Sequence, residues 1–295
     1  MKGFRTLAII SALLLTGCAG HRKELTTAMT EVQTAGRAKD LKGIEAAAGT
    51  LDDRYITPHL LSSYSDQTIA ELFQTLRYPA VYLPDNETAP RQMAMILEEK
   101  AKRHKPENEE VKQTFTALME ARLFESAERL RQKFPDISLP ELPVLMPGIS
   151  TPDGKWLAYD VNENGTSMRL VQLQMDSGPR IILFMLPGCP SGLRAIREIL
   201  SDKTFGPLFR QNTVILLRKL DPTAVKTLKK TFSFPAVYIA HKSADFPGIE
   251  MMHSPDCFFL KDGKVLSRHR GWSDSADHNT KLTLKGLDAI GIAVK

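Results

Sequence analysis

Three prolines within eight residues, Pro140, Pro143 and Pro147, separate two halves of this chain that repeat their apolar residues differently. Before them the spacing is helical; after them it turns toward the alternation of strands. A proline removes a backbone donor and crowds the preceding turn, so no regular helix runs through such a cluster. The segment 136–150 is therefore expected to be a linker between two domains, 18–135 and 151–295, with residues 1–17 set apart as a leader. Each half is long enough for its own core.

The first half reads as helices throughout. Leu25, Met29 and Val32 form one stripe, and Leu41, Ile44 and Ala48 a second. Ile69, Leu72, Phe73 and Leu76 form a third, which Pro79 is expected to end. Met93, Ile96 and Leu97 lie on a helix over 91–102, and Pro106 should open another with Val111, Phe115 and Leu118 inside. The set fits an all-α stack of helical hairpins. Leu118, Ala121, Phe124, Ala127, Leu130 and Pro135 resemble the core of a tetratricopeptide repeat: small residues let two helices approach, the aromatic fills the gap and the proline stops the second helix. One copy is evident, so a helical bundle is the alternative. Either arrangement offers a surface suited to protein partners.

In the second half, 156–160 and 168–173 are short alternating runs around the turn Asn162-Glu163-Asn164-Gly165. The apolar run Ile181 to Leu186 then breaks at Pro187-Gly188-Cys189-Pro190, and Leu193, Ile196, Ile199 and Leu200 follow at helical spacing. That places a thiol at a helix start, where unpaired N–H groups and the positive end of the dipole favour the reactive thiolate. Pro190 suits the first helical position. A strand over 212–218, a helix over 223–232 and an extended 234–240 come next. After Ser254-Pro255, the run Cys257-Phe258-Phe259-Leu260 meets an Asp262-Gly263 turn and a returning strand.

Together these pieces resemble a thioredoxin fold, and the opening hairpin resembles the TlpA and ResA branch of that superfamily. The resemblance implies an α/β domain with a central mixed sheet flanked by helices. It places Cys189 at the nucleophile's position and Pro255 at that of the cis proline, with Ser254 and Pro255 presenting backbone to an incoming peptide. Gly271 matches the closing glycine. The departures matter as much. Gly192 stands where a Cys-x-x-Cys motif has its second thiol, and Leu183 where a buried acid often assists proton transfer. Leu186 replaces the hydroxyl residue that a peroxiredoxin needs. Cys-Pro-Ser-Gly is similar to single-cysteine sites among glutaredoxin-like proteins, which still exchange with a bound disulfide.

At the amino terminus Lys2 and Arg5 precede an apolar run, Leu7 to Leu15, too short to span a bilayer. Leu15-Thr16-Gly17-Cys18 resembles a bacterial lipobox, which implies a signal peptide removed before Cys18 and acyl chains, palmitate among them, on that cysteine. Ala19 in place of Asp implies the periplasmic face of the outer membrane. A cleavable secretory signal with an incidental cysteine is the alternative. Cys189 and Cys257 would remain in an oxidising compartment. The resemblance turns Pro255 toward Cys189, and Cys257, two residues on, shares its face; Cys257 is then either a candidate resolving thiol or a small buried hydrophobe of the sheet.

Charge restricts partners little. Two of the five net positive charges belong to Lys2 and Arg5, and no long basic block remains, so nucleic acid is not expected. Lys226, Lys229 and Lys230 fit the solvated face of a helix that turns Val225 and Leu228 inward. Met251, Met252 and His253 precede Pro255 and, with Cys189, could offer soft ligands to Cu(I); His253 could instead steady a thiolate. Zinc spacings, phosphate-binding glycine loops and Ser-His-Asp arrangements are not evident, and no cofactor is expected. Two functions are in play: thiol–disulfide exchange by Cys189 with envelope proteins, or a non-catalytic scaffold or assembly factor built from the two domains. Copper handling is a lesser third.

Overall fold

The computed structural model describes residues 5–83, 85–104, 106–148 and 154–294, with side chains from His21 onward. The leader 1–17 and Cys18 therefore lie outside the described side chains. Among the described residues no helix is long and apolar enough to cross a membrane. The chain forms two compact units that meet at Pro140 and Glu141, inside the expected linker.

The first unit holds α1 (Arg5–Ala38), α2 (Leu41–Ala48), α3 (Pro58–Ser63), α4 (Asp66–Tyr82), α5 (Thr88–Arg103), α6 (Asn108–Glu120) and α7 (Phe124–Lys133). Most of the anticipated stripes are its core: Leu25, Met29, Val32, Ile44, Ile69, Leu72, Phe73, Leu76, Met93, Ile96, Leu97, Val111, Phe115 and Leu118 are buried, while Leu41 and Ala48 are only half-buried. Pro79 does not end α4 but sits inside it. Only one intrahelical donor is lost there, and the Leu83 N–H still reaches the Pro79 carbonyl at 2.9 Å to close the last turn. The helix expected from Pro106 starts two residues later, where Glu107 and Glu110 form a reciprocal capping box.

The second unit is an eight-stranded mixed sheet in the order β1-β3-β2-β6-β5-β4-β7-β8. Its strands are β1 (Val144–Met146), β2 (Leu157–Val161), β3 (Ser167–Gln172), β4 (Pro179–Met185), β5 (Thr213–Leu217), β6 (Val237–Ala240), β7 (Asp256–Lys261) and β8 (Lys264–Arg270). β4, β5 and β6 run parallel, joined through α8 (Pro190–Ser201), α9 (Gly206–Asn212) and α10 (Pro222–Phe232). β7 and β8 are the antiparallel hairpin anticipated at Asp262-Gly263, and α11 (Ala276–Ala289) closes the unit. β1 lies within the expected linker and pairs with β3, its three side chains exposed.

Alternation along the strands gives the sheet two buried faces. On one, Ile182, Phe184, Leu216, Phe258 and Leu260 pack with Trp156, Phe246, Ile249 and Met251. On the other, Leu183 and Ile215 meet Ile196 and Ile199 of α8, while the Phe259 ring meets Phe209 of α9 edge-on at 6.3 Å. A Cβ at Gly286 of α11 would overlap the Phe259 ring, so that helix approaches β7 only because the position is glycine. On α10, Val225 and Leu228 are buried as expected, but Lys229 is not simply solvated. Its ammonium donates to Asp160 Oδ1 at 2.9 Å and to the Val161 carbonyl at 2.8 Å, tying α10 to β2.

Candidate functional site

The buried strand β4 delivers the chain to a turn, and α8 departs from it. Cys189 is the N-cap of α8 and Pro190 its first residue. The turn is held by the Cys189 N–H donating to the Leu186 carbonyl at 3.1 Å, and the helix by the Leu193 N–H donating to the Cys189 carbonyl at 3.0 Å. The thiol is half-buried above the end of the sheet. From the far end of the sequence the 251–255 loop comes to the same point: Cys189 Sγ lies 3.5 Å from the Ser254 carbonyl, and the Ser254–Pro255 bond is cis, as the resemblance implied. The Leu186 N–H donates to Ser254 Oγ at 2.8 Å, so one serine contacts both the sulfur and the turn that carries it. The structure thus brings Cys189, Ser254 and Pro255 together.

The surroundings of the sulfur pull its pKa in opposite directions. Burial raises the Cys189 pKa, but the hydroxyls of Ser191 and Ser254 and the first-turn N–H groups of Gly192 and Ser191 outweigh it and hold the thiol below its ordinary value. Ser191 Oγ is 3.2 Å from Sγ. The two N–H groups face the sulfur without closing a full cap bond, and their pull is that of a helix start. The Ser254 carbonyl, 3.5 Å away, accepts from the neutral thiol, and the Ser254 hydroxyl accepts from the Leu186 N–H.

The loop is clamped from β8. Asp256, directly after Pro255, is fully buried, and both its oxygens accept from the Arg268 guanidinium. Arg268 also donates to Glu250 Oε2 at 2.7 Å, and Arg270 reaches the same oxygen at 2.9 Å. The Asp256 and Glu250 carboxylates raise the Arg268 pKa, so the guanidinium stays charged. The Gly271 N–H donates to the Pro255 carbonyl at 2.9 Å. Ser191, Glu250, Asp256 and Arg268 escape a reading of the sequence. Ser191 is visible there as the hydroxyl two residues beyond the thiol; the others belong to a pairing between strands that spacing alone does not reveal.

Other candidates fall elsewhere. Cys189 and Cys257 are both free thiols, so no disulfide joins them. Cys257 is buried in β7 opposite Leu183 and His269, and burial first, then the Asp256 charge, raises its pKa far above the ordinary range. It packs as a small hydrophobe. His253 turns to Glu250, with Nδ1 3.7 Å from Oε1, and Met251 is buried in the core. Among the described residues no three His, Cys, Asp or Glu side chains converge as metal ligands would. Leu186, in the turn before Cys189, and Met252, two residues before Ser254, stay exposed, and the Met252 sulfur accepts from the Arg218 guanidinium at 3.7 Å.

No family model and no curated protein matches this chain. Among solved structures, the crystal structure of a thioredoxin-like protein from Bacteroides caccae ATCC 43185 is similar at 12% identity, covering 79% of this chain and 87% of that one, with a TM-score of 0.28.

Proposed function

We propose that this protein carries out single-cysteine thiol–disulfide exchange with other proteins, Cys189 being the nucleophile and Ser254 and Pro255 lying against the substrate backbone. The observation that carries this reading is a half-buried sulfur at the start of α8, 3.2 Å from the Ser191 hydroxyl and joined to Ser254, with its pKa held below the ordinary value. In the first step the Cys189 thiolate attacks one sulfur of a client disulfide. A protein–client S–S bond forms, the client S–S bond breaks, and the second client sulfur leaves as a thiolate. Gly192 supplies no thiol for an internal second step, so the mixed disulfide is resolved by a different client thiol or by an external thiol, which releases the Cys189 thiolate. The exposed Leu186, three residues before Cys189, suits client segments with apolar side chains beside the cysteine.

The second reading, a non-catalytic scaffold that binds envelope proteins, is favoured by the missing second thiol. One experiment separates the two. The reduced protein is incubated with oxidised glutathione at neutral pH and digested under acid quench. Exchange predicts a glutathione adduct on Cys189 that is absent from Cys189→Ser; an unmodified Cys189 after long incubation leaves the scaffold. We further place the protein on the periplasmic face of the outer membrane, anchored by acyl chains on Cys18, from the Leu15-Thr16-Gly17-Cys18 pattern. The mass of the N-terminal peptide of the protein expressed in a bacterial host tests this, and an unacylated Cys18 would remove the anchor.

A further inference from the structure

The helical unit has a groove of about 340 Å³ between α1 and α4, lined by Gln33 and Arg37 from one helix and by Gln74, Arg77, Tyr78, Val81 and Tyr82 from the other. We infer that this groove binds a short acidic peptide segment of a partner protein, its carboxylates on Arg37 and Arg77 and an apolar side chain against Tyr78, Val81 and Tyr82.

Four observations support this. First, the groove is built into the helix pair. A Cβ at Gly36 would overlap the Tyr78 ring, so the ring lies directly on the α1 backbone and forms part of the wall. Gln33 is fixed by donating to Oγ1 of the buried Thr75 at 2.8 Å, and Arg77 by donating to Gln74 Oε1 at 2.6 Å. Second, the charge is one-sided. Two guanidinium groups line the groove and no carboxylate does, among the described residues, so an incoming anion meets no competitor. Third, the walls pair those cations with two phenol rings and an aliphatic side chain. Val81 is 64% exposed, which suits an apolar residue more than a bare anion.

Fourth, the dimensions suit a chain. Gln74 to Tyr82 spans eight residues of rise along α4, about 12 Å at ~1.5 Å per residue. An extended peptide advances ~3.3 Å per residue, so roughly four residues lie along it.

The test is fluorescence anisotropy of the full chain with a fluorescein-labelled, C-terminally amidated peptide Glu-Leu-Glu-Phe-Glu. Saturable binding that weakens with salt is expected. The double variant Arg37→Glu, Arg77→Glu, whose changes are on exposed side chains, should keep its circular dichroism and lose affinity by roughly tenfold or more, as two charge-assisted contacts require. The Gln-Leu-Gln-Phe-Gln peptide should fail equally. The inference is overturned if the wild type shows no saturable binding, or if the double variant binds within about twofold of it. It is also overturned if phenylacetate displaces the peptide with comparable affinity, because the occupant is then a small carboxylate.

Discussion

A Cβ placed on Gly192 would stand 3.5 Å from the Cβ of Cys189, within the separation a disulfide spans. The backbone of this site therefore retains the geometry of a two-cysteine turn although the second thiol is absent. The nearest obstacle is the terminal methyl of Met185 at 3.0 Å, the end of a flexible side chain. Gly192→Cys should fold and, on mild oxidation, close a disulfide between Cys189 and the introduced thiol that protects Cys189 from alkylation. Mass spectrometry of the oxidised variant checks this, and two freely alkylated thiols would show that the turn does not admit the bond.

Ser254→Ala removes a hydroxyl donor from the sulfur and the acceptor of the Leu186 N–H at once. The Cys189 pKa should rise and its alkylation at neutral pH should slow several-fold. Stability should fall by only about 1 kcal/mol, since the Leu186 N–H can turn to water. A rate equal to wild type would mean that Ser191 and the helix start suffice.

Arg268→Ala leaves the fully buried Asp256 without its principal partner. Breaking a buried pair from one side costs about 3–5 kcal/mol, and the lower end applies here because Arg270 lies 3.9 Å from the same carboxylate. Urea denaturation measures it. Arg268→Lys should recover part of the loss, an ammonium being unable to grip both oxygens as a fork does.

His269 links acidity to stability. Burial foremost, aided by the nearby His278 and opposed by Asp256, lowers its pKa in the folded state. The unfolded chain, with an ordinary histidine value of about 6.5, then binds the proton more readily. The contribution is intact above that pH and is lost as pH falls toward the folded value. Nδ1 has no hydrogen-bond partner among the described residues, while the ring stacks on Trp272 at 5.1 Å. His269→Phe should keep the stack and shift its urea midpoint less than wild type does below pH ~6.5. Parallel pH profiles would rule this out.

The elements that carry the site are legible because their signals are local and strong. The run ending at Cys189, the Pro190 helix start and the Asp262-Gly263 turn each state their structure in a few adjacent residues. α11 is not, since it meets the sheet through Asn279, Thr283, Gly286 and Leu287 rather than through an apolar stripe. β1 is hidden because its exposed side chains have no inward partner to impose alternation. Pro79 carries less weight as a helix breaker than its residue type suggests. The clamp of Asp256 and Glu250 by Arg268 depends on strand register and on loop closure, which no single stretch of the chain contains.

The central claim is that the protein holds Cys189 as a ready nucleophile, and the rate of its iodoacetamide alkylation against pH tests that most directly. Cys257 is buried with its pKa raised and should stay silent in the native protein. The account predicts a single titration with a midpoint below the free-cysteine value of about 8.5, lost in Cys189→Ser. A midpoint at or above that value would contradict it.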